Sequence, residues 1–203
     1  GLLPGSREKE VKYLLPVLLR AARLIRENIP EARFIIPLTS ATFKSSSSLN
    51  EQNIRNYIFK TLPDAILTVD ETYNVYPILD FAIVASGTAT LEAACASTPM
   101  IIIYRVSLLT EFLARISGRL PLVFGLPNII MGRRVISEFA QRDANPVKIA
   151  REVTAFYFQG EKVQEQKDFL QEIKKKMGEP GATERAASVV IDFLQEIDQG
   201  QQE

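Results

Sequence analysis

The chain contains no histidine and no tryptophan, has one cysteine, and holds no apolar run near the roughly 20 residues that a membrane-crossing helix requires. Without histidine the commonest metal ligand is missing, and so is the usual base of Ser-His and Cys-His catalysis. Cys95 has no partner for an internal disulfide, which points to a reducing compartment. Lys plus Arg (24) balances Asp plus Glu (24). No global field therefore favours nucleic acid or an anionic membrane, and a bound anion must be held by local geometry. Neither G-x-G-x-x-G nor G-x-x-x-x-G-K-[ST] occurs. Asp70-Glu71 reads as a solvated strand end rather than a metal site. Nothing resembles a cleaved signal peptide.

What is present is a patterned chain of 203 residues, 46% hydrophobic and 24% charged, the mark of a globular protein with a sizeable core. From Glu8 to Asn28 the apolar residues Val11, Leu14, Leu15, Leu18, Leu19, Ala22 and Ile25 recur at three- and four-residue steps, a helix that Pro30 stops. Phe34 to Leu38 and Ile66 to Val69 read as strands buried on both faces. A helix of roughly Leu49 to Leu62 lies between them, with Ser48 as its cap after a solvated serine run. Phe81 to Ala85 reads as a strand, Thr88 to Ser97 as a helix and Met100 to Tyr104 as a strand. Such alternation predicts an α/β fold, a parallel sheet with helices on both faces, over residues 1–145. Pro146 to Phe158, Glu161 to Met177 and Ala182 to Ile197 then read as helices, so residues 146–203 are expected to form a helical tail packed on that domain. Gly1-Leu2-Leu3 looks like the end of a strand, which suggests a piece of a longer protein.

In open parallel sheets ligands lie at the carboxyl ends of the strands. Two junctions there suit an anion. Leu3-Pro4-Gly5-Ser6-Arg7 turns through Gly5 into the long helix, with Arg7 as a planar cationic fork; the same residues would also serve as a plain turn, cap and surface charge. Ala85 to Glu92 leads a buried strand through Ser86, Gly87, Thr88, Ala89 and Thr90 into a helix, an arrangement able to donate N–H bonds to a diphosphate. Glu92, one turn farther in, is placed either to accept from ribose hydroxyls or to complement the helix dipole. A third stretch carries Asn128 on a loop, then Glu138 and Gln141 three residues apart, a shared face if they are helical. The segment from Leu108 through Ile116 to Phe124, interrupted by Arg115 and Arg119, is amphipathic and suits either a lipid surface or the sheet.

Leu3-Pro4-Gly5-Ser6-Arg7-x-x-Glu10, Ser86-Gly87-Thr88-Ala89-Thr90-Leu91-Glu92, Tyr104-Arg105 and Leu126-Pro127-Asn128-x-x-x-Gly132-Arg133-x-x-x-x-Glu138-x-x-Gln141 together resemble, in order and spacing, the lipid-A-disaccharide synthase family. The pattern departs at Ser137, where the family often has proline. The likeness covers the carboxyl-terminal, donor-binding half of a GT-B glycosyltransferase with a Rossmann-like sheet. It implies metal-independent, inverting transfer of 2,3-diacylglucosamine from its UDP derivative to a lipid acceptor, 2,3-diacylglucosamine 1-phosphate. By the same resemblance the product would be a β-1,6 disaccharide, and the catalytic base would be expected in the amino-terminal half. It implies no cofactor and no nucleic-acid partner. Ser6, Arg7, Ser86, Gly87, Thr88, Ala89 and Thr90 would face the UDP diphosphate, and Glu92 the ribose. Asn128, Glu138 and Gln141 would face the sugar, and uracil would lie along Asp70 to Tyr76. The implied setting is the cytoplasmic side of the inner membrane of a Gram-negative-type bacterium, with peripheral membrane contact. Another GT-B UDP-sugar enzyme, or a non-catalytic module pairing as a homodimer through the tail, shares these features.

Overall fold

The computed structural model describes residues 1–43, 50–106 and 123–200, apart from the side chains at 195, 196 and 198–200. Period-two alternation within fully apolar strands builds its sheet. In β4 (Ala82–Ala85), Ala82 and Val84 enter one core while Ile83 and Ala85 enter the other. In β5 (Met100–Tyr104), Met100 and Ile102 are divided from Ile101 and Ile103 in the same way. β1 (Leu2–Leu3) and β6 (Glu138–Ala140) complete a parallel sheet in the order β1-β4-β5-β6. β2 (Ile35–Leu38) and β3 (Ile66–Val69) form a second parallel pair. Because β2 lies beside β1, the strands follow one another in space as β3-β2-β1-β4-β5-β6.

Parallel strands need long crossovers, and these supply the cover for both faces. α1 (Glu8–Asn28) buries Leu14, Leu15, Leu18, Leu19, Ala22 and Ile25. With α2 (Glu51–Thr61) and α6 (Pro146–Phe158) it closes the core that contains Ile83 and Ile101. α4 (Ala89–Cys95), α5 (Leu126–Met131) and α7 (Gly160–Met177) meet over Val84 and Ile102 on the other side. Each fully buried Leu or Ile contributes about 1.5–3 kcal/mol. α3 (Thr72–Val75) is a single turn that runs into a 3₁₀ turn at Tyr76–Ile78.

Several expectations need correction. β3 is not buried on both faces, since Ile66 is 53% exposed; among the described residues the strand lies at the end of the layer and pairs only with β2. The cap of α2 is Asn50, whose side chain accepts from the Asn53 N–H at 2.7 Å. Ser48 and the serine run lie outside the described residues, as does the amphipathic segment up to Leu122. Within the tail, α6 and α7 pack on the sheet helices, but α8 (Ala182–Gly200) is exposed at every residue from Ala182 to Leu194. Among the described residues no helix is long and apolar enough to cross a membrane.

Candidate functional site

From β1 the chain moves outward to β2 and β3, then returns on the opposite side of β1 as β4. The loops after β1 and β4 therefore diverge, and a crevice opens at the strands' carboxyl ends. A cleft of about 470 Å³ lies there, with Arg7, Glu10, Tyr13, Ser86, Tyr104 and Arg105 among its lining residues. The fold thus brings the Gly5–Arg7 and Ser86 junctions to one place.

At the first junction Gly5 has φ +100°, a left-handed conformation that glycine tolerates. A Cβ there would collide with Glu10 Oε2. The N-cap of α1 is Arg7 rather than Ser6. Glu10, three residues on, reaches back so that its Oε2 accepts from the Ser6 and Arg7 N–H groups at 3.2 and 3.3 Å. Its Oε1 accepts from the Arg7 guanidinium at 2.9 Å. Both Ser6 and Arg7 are exposed.

At the second junction, the Ser86 N–H continues the β4–β5 ladder to Ile103 O, while its hydroxyl donates to Phe124 O at 3.0 Å. Gly87, at φ +154°, opens the turn, with clear space where a side chain would stand. Thr90 is buried and braces the turn from below, its hydroxyl donating to Gly87 O at 2.7 Å. Among the described residues the N–H groups of Gly87, Thr88 and Ala89 meet no acceptor, and Gly87 and Thr88 are exposed. Glu92 faces α3 and the 3₁₀ turn, where its carboxylate accepts from Tyr73 Oη at 3.4 Å and Tyr76 Oη at 3.3 Å. Burial, then the Glu92 carboxylate beside it, raises the Tyr76 phenol well above its ordinary range and keeps it a donor.

The third stretch differs from the helical expectation. Glu138 lies in β6 and Gln141 follows that strand at φ +52°, so the two do not share a helix face; β6 is parallel to β5 and continues the sheet. Asn128 lies within α5, fully buried. Its Nδ2 donates to Ile136 O and Glu138 Oε1, and its Oδ1 accepts from the Val135 and Ile136 N–H groups. Glu138 also accepts from the Phe124 and Gly125 N–H groups at 3.1 and 2.8 Å. This network holds the Phe124–Gly125 bend whose carbonyl receives the Ser86 hydroxyl. Gln141 Oε1 accepts from the Val106 N–H at 2.8 Å.

Arg105 carries no role from its sequence position, yet it follows β5 at the edge where ligands gather and lines the cleft. Its Nε donates to Gln141 O at 3.3 Å. Tyr73 and Tyr76 fall in the Asp70–Tyr76 stretch expected along uracil, but their contact with Glu92 has no counterpart in the sequence reading; their three-residue spacing just after a strand is the available signal. Among the described residues no group of three or more Cys, Asp or Glu side chains is placed to hold a metal ion.

Residues 1–192 match the family model described as lipid-A-disaccharide synthetase. Curated lipid-A-disaccharide synthases from Syntrophus aciditrophicus and Persephonella marina are each 38% identical to the chain, over 98% and 95% of its length. The synthase from Geobacter sulfurreducens is 36% identical over 96%. The chain spans about half the length of these relatives, 48–50% of each. With residues 1–192 matched by the family model, the chain belongs to the lipid-A-disaccharide synthetase family.

Proposed function

We propose that this chain is the UDP-sugar-binding, carboxyl-terminal half of an inverting glycosyltransferase that moves 2,3-diacylglucosamine from its UDP derivative onto 2,3-diacylglucosamine 1-phosphate. The observation that supports this reading is that Arg7, from the turn after β1, and Ser86, which opens the turn after β4, line one cleft at the strands' carboxyl ends. The diphosphate meets the Arg7 guanidinium and the open N–H groups of Gly87, Thr88 and Ala89, while Ser86 and Thr90 hold that turn in shape. Charge that develops on departing UDP is stabilised by these fixed donors without a metal ion. Glu92 accepts from the ribose hydroxyls, its carboxylate held by Tyr73 and Tyr76, with uracil along Asp70 to Tyr76. Asn128, Glu138 and Gln141 act on the sugar side by bracing its wall, since their hydrogen bonds run to the surrounding backbone and to one another. The acceptor hydroxyl and its base come from the other half, at the cytoplasmic face of a membrane that carries both lipid substrates.

Titration calorimetry with UDP tests the reading, alongside a disaccharide-forming assay on the same chain. The chain is expected to bind UDP equally well with magnesium or with EDTA and to form no disaccharide alone. Absence of UDP binding would overturn the assignment, and strong dependence on a divalent cation would overturn its metal-free part.

A further inference from the structure

Glu10 has no role in the reading above, although its carboxylate takes three donors from the turn beside the cleft. Oε2 receives the Ser6 and Arg7 N–H groups, and Oε1 receives the Arg7 guanidinium. The side chain folds so closely under the turn that a Cβ at residue 5 would collide with it. Two consequences follow. The Ser6 and Arg7 N–H groups, just before α1, are already taken by a carboxylate, so an anion at this junction meets the Arg7 side chain and not those two N–H groups. The Arg7 side chain is 83% exposed, and a free arginine in that setting would sample many rotamers; the ion pair to Glu10 restricts it and leaves the rest of its donor fork available.

We propose that Glu10 is a positioning residue, its carboxylate holding the Arg7 guanidinium at the cleft for a nucleotide diphosphate. This rests on the UDP-binding reading and adds a residue that acts only through Arg7.

The experiment is a double-mutant cycle on the 203-residue chain with Glu10→Gln, Arg7→Ala and both together, titrated with UDP and with uridine. Glu10→Gln is expected to weaken UDP roughly 5- to 30-fold, about what one or two kcal/mol correspond to, and to leave uridine affinity unchanged. In the Arg7→Ala background the same change is expected to have no further effect. Unchanged or tighter UDP binding by Glu10→Gln, or losses that add in the double variant, would overturn the proposal. A wild-type measurement covers a variant that folds poorly: the Arg7 side-chain NMR order parameter is expected to be as high without UDP as with it, and a mobile free Arg7 would overturn the proposal. Failure of the wild type to bind UDP at all would overturn the underlying reading as well, which separates the two failures.

Discussion

Glu92 shows how a residue's chemistry is decided by its neighbours. A carboxylate in the first turn of a helix complements the dipole wherever it points, but here two phenols from another element hold it toward the surface beside the Gly87 turn. Glu92→Gln is therefore expected to weaken UDP binding by about 1–3 kcal/mol, the range for hydrogen bonds to a charged group. Uracil alone should bind wild type and variant alike. Calorimetry with both ligands checks this, and a thermal melt separates it from a pure dipole effect of about 0.3–1 kcal/mol. Asn128 went the other way. In the sequence it reads as a loop amide placed to face the sugar; in the structure the same amide is wholly internal, spanning the Val135–Ile136 backbone and Glu138. Side-chain type alone does not distinguish a ligand contact from a strut, because both use the same donors and acceptors.

At the scale of elements, periodicity was most informative where burial is one-sided and regular. The limits of α1 and α6 follow from their apolar spacing and from Pro30 and Asn145, the latter capping Lys148 through its side chain. β6 was illegible for the opposite reason, because three residues, Glu138 to Ala140, are too few to display a period and begin with a carboxylate. The docking of α7 was equally silent in the sequence. Gln166, 3% exposed, donates to Met100 O at 3.0 Å and accepts from the Met100 N–H at 2.6 Å, completing the start of β5 where β6 does not reach. Gln166→Leu would leave both backbone groups buried without partners. It is expected to cost about 2–6 kcal/mol, from roughly 1–3 for each orphaned group, as read by urea denaturation.

For the whole molecule, two cores flank one sheet, and α8 belongs to neither. Val189, Val190, Phe193 and Leu194 are all more than half exposed. Removing residues from Ala182 onward is therefore expected to leave the melting temperature within a few degrees, a shift that corresponds to under about 1 kcal/mol, and differential scanning calorimetry checks it. The alternation of apolar strands with amphipathic helices was determined by sequence alone, because a parallel sheet buried on both faces demands that pattern locally. So were the two glycine-containing turns and their polar residues, since strand-to-helix junctions write their chemistry in a few adjacent positions. Only the tertiary structure decided that β4 returns beside β1, which brings Arg7 of one turn and Ser86 of the other to one cleft. Likewise, it alone decided which polar side chains pair with one another, because hydrogen-bond partners such as Glu92 with Tyr76, or Asn128 with Glu138, are chosen by how the elements dock and not by spacing along the chain.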